Sequence, residues 1–489
     1  MLAELSAATA PCATAMHPQT PAALDRSLHY TICSPWQQTK ERKTSMIANV
    51  APEPAPEAPA SALPLGEFAC CIGLDWGDQK HATALQARGS HAIECAELPS
   101  KPEAVHQWLE SLQSRFGGLP VAVALEASKG AIVDILLQYP WLTIYPVHPA
   151  TSRRFSMAFA PSGAANDEPD AKNLLEILRF HRHRLRAVVP ADEQTKRLAA
   201  QVQIRRNIVD QLTDLSNQLT SLLKSYFPQA LELTGEDRLS GLSLAFLQRW
   251  PDLISAKKAK PETFRSFYYK HQVRRPELVQ KRLELLRQAR PLSQDPLLLE
   301  ISLLSLPRLL AQIRVLQEHL EIMEKKIQES FAAHDDAFIF KSFPGAGASM
   351  APRLCALFGR DRERWGDAAE MQKYYGIAPV IEASGKQRWV HWRWNAPTFQ
   401  RQTLVEWAGL SVRYSLWAKA YYDQMSQREK PRSVILRALA FKWLRILFRC
   451  WKSRTPYEEA AYLKALQEKG SPRRGVACSP APQKNRKNP

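Results

Sequence analysis

The chain has 489 residues, which is room for two or three domains, and its 45% hydrophobic and 9% aromatic residues suffice for folded cores. The formal net charge of +18 favours a polyanionic partner. Nucleic acid is the first candidate, although a membrane surface would also suit that charge. No run of about 18 uncharged apolar residues occurs, which argues against a membrane span.

The eight cysteines include no C-x-x-C pair and no Cys/His spacing suited to zinc, and the N-terminus lacks the pattern of a signal peptide. We therefore expect a reduced, cytoplasmic and nucleoid-associated protein. Residues 1–65 are proline-rich and 468–489 form a basic tail, and both are expected to be disordered.

Residues 66–187 predict an α/β domain. Three strand-like runs form a meander, followed by helix, strand, helix and strand; these runs are Phe68–Trp76, Ala82–Arg88, Ala92–Leu98, Pro102–Arg115, Val121–Ala127, Gly130–Tyr139 and Leu142–Val147. Three antiparallel strands followed by β-α-β units are typical of the ribonuclease H-like fold, which is an analogy drawn from order alone.

Residues 188–335 predict long helices. Apolar residues recur at spacings of three and four in two rows, which indicates coiled-coil seams. The rows are Leu198, Ile208, Leu212, Leu215, Leu219, Leu222 and Tyr226, and Leu309, Ile313, Leu316, Leu320, Met323 and Ile327. They could form a helical hairpin within the chain or a stalk for dimerisation. Residues 336–467 predict a second, mostly helical unit with a short β-rich insert near Val380–Trp394.

Four acidic residues form a candidate metal site. Asp75 and Glu126 each end an apolar strand, where the ligands of α/β sheets gather. Asp167 and Asp170 lie three apart at a predicted helix start, so they share one face. Their hard oxygen ligands suit Mg²⁺ or Mn²⁺. A purely structural role also fits, since Asp167 could be only a helix N-cap.

Two motifs in the second unit could contact nucleic acid. In the segment from Phe343 to Ala348, Gly345 and Gly347 would let backbone N–H groups approach a phosphate in a helix-hairpin-helix element, unless the segment is an ordinary helix connection. Around Ser384, a loop serine that needs activation to attack, lies a stretch of cations and tryptophans. Its cations include Lys386, Arg388 and Arg393; its tryptophans could instead pack inward.

Two basic segments complete the candidates. A late helix carries Arg437 and then a cationic stripe of Lys442, Arg445, Arg449 and Lys452, for which we favour phosphate binding over a merely solvated face. The cluster from Arg179 to Arg186 could do the same beside the acidic site.

The chain resembles the DEDD transposases of the insertion sequence 110 family from about Cys71 to Tyr462. The resemblance lies in six motifs taken in order: Ile72–Asp75, Leu125–Ser128, Asn166–Ala171, Phe343–Gly347, Tyr375–Pro379 and Ser384–Lys386. It implies a RuvC-like domain at 66–187, a coiled-coil stalk at 188–335 and a serine-bearing transposase domain at 336–467.

The resemblance also implies a mechanism and partners. The four acids would bind Mg²⁺, and Ser384 would attack a DNA phosphate to give a phosphoserine intermediate. A non-coding bridge RNA would select target and donor DNA. The active site would form between protomers of a homodimer or homotetramer.

Three alternatives stay open. The chain could be a RuvC-like nuclease in which water attacks and Ser384 is incidental, or a non-catalytic nucleic-acid-binding scaffold. A tyrosine recombinase using Tyr421 or Tyr422 is less favoured, because nothing marks an arginine–histidine cluster.

Overall fold

The computed structural model describes residues 68–126, 130–159 and 167–468. The predicted extension at 1–65 lies outside these residues, and so does the predicted tail from residue 469 onward; Glu468 itself ends a helix. Asn166 and the segment 127–129 of the resembling motifs lie outside them as well.

The N-terminal part is a five-stranded mixed sheet with helices on both faces. Its elements are β1 Cys70–Asp75, β2 Lys80–Ala87, β3 Glu94–Pro99, α1 Pro102–Arg115, β4 Val121–Leu125, α2 Ala131–Leu136, β5 Leu142–Pro146, α3 Pro149–Phe159 and α4 Asp167–His181. The strand order is β3-β2-β1-β4-β5, with β1, β2 and β3 antiparallel and β1, β4 and β5 parallel. The predicted meander followed by β-α-β units is confirmed.

Two hydrophobic clusters hold this sheet. β1 and β4 are continuous apolar runs, as expected for central strands that are buried on both faces. Helices α1 and α2 pack on one face through residues such as Leu109 and Leu136. Helix α4 packs on the other face through Ala171, Leu174 and Leu178.

The middle part is a helical hairpin with five short helices inserted between its arms. Its elements are α5 Glu193–Tyr226, α6 Ala230–Thr234, α7 Gly241–Arg249, α8 Leu253–Lys258, α9 Pro261–Lys270, α10 Pro276–Gln288 and α11 Pro296–Ala332. Helices α5 and α11 run antiparallel: Leu198 near the start of α5 shares a cluster with Phe331 near the end of α11, and Arg205 pairs with Glu324 at 2.6 Å. The two predicted seams therefore pack against each other within the chain.

Helix α11 carries a second apolar row that stays exposed. Six of its apolar side chains follow spacings of four and three, or multiples of them, on the side away from the core: Leu297, Ile301, Leu304, Ala311, Val315 and Ile322. Among the described helices, α11 alone is long and apolar enough to cross a membrane by length and composition. Its exposed row keeps the dimerisation stalk open as an alternative, because a seam of this spacing suits a further helix.

The C-terminal part is mostly helical with one two-stranded hairpin. Its elements are α12 Ala337–Lys341, α13 Met350–Phe358, α14 Ala368–Tyr374, β6 Val380–Ser384, β7 Gln387–His391, α15 Thr398–Ser411, α16 Leu416–Gln427, α17 Arg432–Ser453 and α18 Glu459–Glu468. Fully buried Trp407, Trp443 and Trp451 anchor the core. The predicted β-rich insert is confirmed. Because the ends of α5 and α11 also enter this core, the domain boundaries at 187 and 335 stay predictions.

A buried polar cluster ties the start of α5 to this core. The Thr195 hydroxyl lies 3.1 Å from His334 Nε2, and burial lowers the pKa of His334, so the imidazole stays neutral. Arg362 forms two hydrogen bonds to the Asp336 carboxylate, at 2.5 and 2.8 Å, and stacks on the Trp451 ring. A buried ion pair satisfied in this way is costly to break from one side.

Candidate active site and nucleic-acid interface

Strand register brings Asp75 and Glu126 to adjacent positions. Leu74 pairs with Leu125 in the parallel β1–β4 ladder, so the next residues on the two strands are neighbours, roughly 5 Å apart in the backbone. Side chains alternate along a strand, and Cys71 and Ala124 face α4. Asp75 and Glu126 therefore lie on the α4 face, and both are half-buried.

Helix α4 begins over the same strand ends. A Cβ atom at Gly73 would lie 2.0 Å from the Ala171 carbonyl oxygen and 2.5 Å from the Leu175 nitrogen, so only glycine permits this approach. Asp170 is adjacent to Ala171 and half-buried. The close contact thus places Asp170 by the end of β1, on the face that carries Asp75 and Glu126.

The backbone positions of these acids are close together, but their side chains do not converge on one point. Among the described side chains, no three His, Cys, Asp or Glu residues converge as metal ligands. Asp167 starts α4, but its side chain lies outside the described set. The donor set is all carboxylate, which fits a hard cation such as Mg²⁺. The four-acid metal site stays a prediction.

Ser384 ends a strand, and its prediction as a loop serine is corrected. It closes β6 and pairs with Gln387, leaving Gly385 and Lys386 as a two-residue turn. Gly385 has a φ of +56°, which favours glycine at the first turn position of such a hairpin. All residues from Ile381 to Val390 are exposed. The Ser384 hydroxyl has no hydrogen-bond partner among the described residues.

Glu382 and His391, the two candidate bases for Ser384, are bound to each other. Glu382 accepts hydrogen bonds from Trp389 Nε1 at 2.8 Å and from His391 Nε2 at 2.7 Å. His391 Nδ1 faces the Trp392 carbonyl oxygen at 2.7 Å, so both ring nitrogens donate. The Glu382 bond and then the backbone bond raise the pKa of His391, whereas the His391 and Trp389 bonds lower the pKa of Glu382. Both ring nitrogens of His391 are therefore engaged, which leaves neither of them free to take a proton from Ser384.

The tryptophans of the hairpin mostly face outward. Trp389 is 45% and Trp394 76% exposed, which favours the surface interpretation over inward packing. Trp392 lies between two guanidinium groups, 3.5 Å from Arg437 and 5.3 Å from Arg401 to the ring centroid. Of the predicted cations, Lys386 and Arg388 are exposed and Arg393 is half-buried.

The two predicted glycines near α13 have different surroundings. Gly345 has a φ of +75°, and a Cβ there would lie 2.9 Å from the Leu410 carbonyl carbon, so this glycine packs the turn onto α15. Gly347 has nothing within 4 Å of such an atom. A cleft of about 400 Å³ runs along the turn. A short helix, α12, the glycine turn and α13 follow one another in the order that the predicted helix-hairpin-helix element requires, and its phosphate contact stays a prediction.

Of the four cations in the predicted stripe of α17, two have a described partner and two are free of ion pairs with described residues. Arg445 and Arg449 are exposed and form no ion pair with any described residue. Lys442 is half-buried over the Tyr421 ring, and Lys452 pairs with Glu363 at 3.0 Å. Tyr421 is only 6% exposed, which disfavours it as a nucleophile.

The sequence predicts the basic cluster from Arg179 to Arg186 beside the acidic site, and this is wrong. The cluster lies at the opposite end of α4. Arg179 is nine residues beyond Asp170, about 13 Å along a helix. Beyond it, Arg186 bonds to Glu370 and to the Arg364 carbonyl, which links this segment to α14.

Sequence reasoning missed a buried arginine on α13. Arg353 is 7% exposed and donates to the Thr403 hydroxyl at 2.7 Å and to Glu406 at 2.9 Å, tying α13 to α15. No periodicity signals such a pair, because its partners are about fifty residues away in the chain.

Two family models match the chain. The first is the model for the DEDD transposases of IS110 elements, and it matches residues 72–228. The second is the model for the transposase IS116/IS110/IS902 family, and it matches residues 337–423. The four candidate acids fall in the first match and Ser384 in the second, whereas α17 lies outside both.

Curated relatives extend the similarity over most of the chain. A mini-circle putative transposase for IS117 of Streptomyces coelicolor is 25% identical over 407 residues, 81% of this chain and 97% of the relative. An insertion element IS110 uncharacterized 43.6 kDa protein of the same organism is 24% identical over 395 residues, 79% and 95% respectively. An IS116 protein of Streptomyces clavuligerus is 32% identical over 76 residues, 16% of this chain and 19% of the relative.

Proposed function

Because the chain belongs to the IS110 family of insertion-sequence transposases, we propose that it cuts and rejoins DNA at a RuvC-like, metal-dependent site with Ser384 as the nucleophile. The observation that supports the proposal is a backbone one: the β1–β4 register and the approach of α4 to Gly73 put the positions of Asp75, Glu126 and Asp170 near one edge of the sheet. The ribonuclease H-like topology agrees with the strand order β3-β2-β1-β4-β5.

The carboxylates would hold Mg²⁺ or Mn²⁺, with Asp167 as the fourth ligand. Such an ion, when bound, polarises a phosphate and neutralises charge that develops on it. The protein would contribute position, because the β1–β4 register and the Gly73 contact order the backbone at three of these acids.

Ser384 would form the covalent link to DNA. Its oxygen bonds to phosphorus, the strand oxygen leaves as a hydroxyl, and the proton of the serine passes to solvent or to that leaving group. Attack by the hydroxyl of another strand reverses these bonds and restores the serine. Strands are thereby exchanged without loss of a phosphodiester bond.

The exposed position of Ser384 supports assembly of the site between protomers. The outer face of the hairpin presents Ile381 (51% exposed) and Val390 (61% exposed), and α11 presents its exposed apolar row. A homodimer or homotetramer would cover such surfaces. We further propose that the protein binds double-stranded DNA and a non-coding guide RNA. It would act at the nucleoid and bind no membrane.

A second candidate, a nuclease in which water attacks, is favoured by one observation. The Ser384 hydroxyl has no base beside it among the described residues, since Glu382 and His391 bind each other.

Labelled DNA mixed with the protein and Mg²⁺ on a denaturing gel separates the candidates. We expect a protein–DNA adduct that is lost in Ser384→Ala without free nicks in its place, while Asp75→Ala removes adduct and nicks together. Ser114→Ala and Asp134→Asn, which change an exposed serine and an exposed acid, are matched controls. Nicks that persist in Ser384→Ala would establish the nuclease. DNA binding without adduct or nicks in the unmodified protein, and unchanged in Asp75→Ala, would establish a scaffold.

A further inference from the structure

A row of aromatic rings lies where α3 ends and α4 ends. Phe159 is 5.1 Å from Phe155, Phe155 is 6.1 Å from His181, and His181 is 6.4 Å from His183, all between ring centroids. We call these four rings the aromatic row. Phe159 is 74% exposed, and the neighbouring Phe180 is 48% exposed. Large apolar rings left in solvent on adjacent elements indicate a surface that meets a partner.

The charge around the aromatic row is mainly positive, with Glu176, one turn before Phe180, as the nearest acidic residue of α4. The segments 149–159 and 177–191 contain no acidic residue. Four arginines here form no ion pair with any described residue: Arg153, Arg154, Arg179 and Arg184. Arg179 lies 5.0 Å from the Phe180 ring, a guanidinium beside an aromatic face. Phe155 and His181 are half-buried, whereas Phe159, Phe180 and His183 are exposed. Unpaired cations beside these exposed rings fit a chain of phosphates whose bases are free to stack.

Stacking selects an unpaired strand over a duplex. In a duplex the faces of the bases are already stacked on each other, so exposed side-chain rings gain contacts only where bases are splayed out. A protein that bound a duplex through this surface would need the arginines but not the rings.

The position of the row on α4 identifies which strand would reach it. Asp170 and His181 are at opposite ends of the helix, about 16 Å apart along its axis. At roughly 3.4 Å per stacked nucleotide, a strand that starts at the acidic face reaches the row in about five nucleotides. A DNA strand released from its complement during cutting and rejoining would lie within that reach.

We propose that the aromatic row and its arginines bind an unpaired DNA strand about five nucleotides away from the site of cleavage. The inference rests on the proposed function for the position of that site. The interaction itself needs neither a metal nor Ser384.

Binding of fluorescein-labelled oligo(dT) of about 16 nucleotides to the full-length protein, followed by anisotropy, tests the proposal. Phe159→Leu keeps an apolar side chain but removes the ring, and we expect it to weaken oligo(dT) binding about tenfold. Phe159→Trp should retain binding. Tyr269→Leu, at a 47% exposed ring on α9, is the matched control and should leave binding unchanged.

Three outcomes would overturn the proposal. Unchanged oligo(dT) binding in Phe159→Leu would show that the row does not stack bases. An equal loss for a duplex of the same length would show a surface that does not select unpaired strands. A loss confined to oligo(U) would assign the row to RNA. The same variants assayed for the covalent adduct keep the two proposals apart, because the adduct can persist when strand binding fails, and strand binding can persist in Ser384→Ala.

Discussion

The two halves of the proposed active site are held in very different ways. Asp75 and Glu126 follow central strands whose Leu74 and Leu125 are completely buried, and α4 closes over them. Ser384 ends β6, at the turn of a two-stranded hairpin that is exposed from Ile381 to Val390. An isolated two-stranded hairpin is only marginally stable. The backbone at the carboxylates is therefore fixed by the fold, whereas the backbone at Ser384 has few contacts with the rest of the described chain.

Gly73→Ala should have the largest effect, because it acts on the rigid half. The new Cβ would lie 2.0 Å from the Ala171 carbonyl oxygen, a backbone atom that moves only with α4. Overpacking of this kind costs about 3 kcal/mol or more. We expect a lower urea midpoint by circular dichroism and loss of the covalent adduct, since Asp170 moves with the helix.

Gly347→Ala is the matched control for that change. Nothing lies within 4 Å of the added atom, so the free energy of unfolding should change by less than about 0.5 kcal/mol. If both glycine variants unfolded at the same urea concentration, the close approach of α4 to β1 would be refuted.

Trp392→Ala should lower activity more than stability, because it changes the position of the hairpin that carries Ser384 and not the core. The Trp392 ring lies against Arg437 of α17 and Arg401 of α15, and this is one contact of the hairpin segment with these helices. Its loss should cost about 1 kcal/mol of unfolding free energy but lower the rate of adduct formation about tenfold. Trp394→Ala, at a 76% exposed ring, should leave the unfolding free energy unchanged. A large loss of stability in Trp392→Ala would mean that the hairpin belongs to the core.

The same contrast decides what the sequence could predict. The apolar runs that become β1 and β4 end in acids, so their register and the meeting of Asp75 with Glu126 follow from strand patterns. The approach of Gly73 to Ala171 joins residues about a hundred apart and leaves no local pattern. The cluster at Arg179 was placed wrongly, because nearness in sequence to Asp170 becomes distance along a helix of 15 residues.

The serine region was predicted in outline and not in detail. The sequence predicts a β-rich insert near Val380–Trp394, and the structure has one. The sequence also places Ser384 in a loop, whereas Ser384 ends β6 and only Gly385 and Lys386 form the turn. The engagement of Glu382 by His391 depends on which strand faces meet, and that depends on the turn.

The pair of Glu382 and His391 predicts a pH-dependent hairpin. The pKa of His391 is raised above its usual value of 6.5, so its interaction is complete below that pH and is lost as the pH rises through the raised value. The pKa of Glu382 is lowered, so its side of the pair fails only as the pH falls below about 4.5. Between these two pH limits, the hydrogen bond between Glu382 and His391 is intact.

An NMR titration of His391 in the full-length protein measures this effect. Glu382→Gln should return the His391 pKa towards 6.5 and remove the pH dependence of the Trp389 fluorescence. Ser384 is untouched by this change, and Asp134→Asn is the control for loss of an exposed acid. An unshifted His391 pKa in the unmodified protein would leave that histidine available as the base.

The smallest expected effect concerns the exposed cations of α17. Arg445→Gln with Arg449→Gln removes two charges that have no acidic partner among the described residues, so the slope of log affinity for duplex DNA against log salt should fall by about 1.8. Lys452→Gln removes a charge that Glu363 already neutralises in part, so it should change the slope less. Neither change should shift the urea midpoint measurably, because both arginines are solvent-exposed. An equal slope change per charge in all three positions would mean that DNA competes with Glu363 for Lys452, and the contact surface would then extend along the whole stripe.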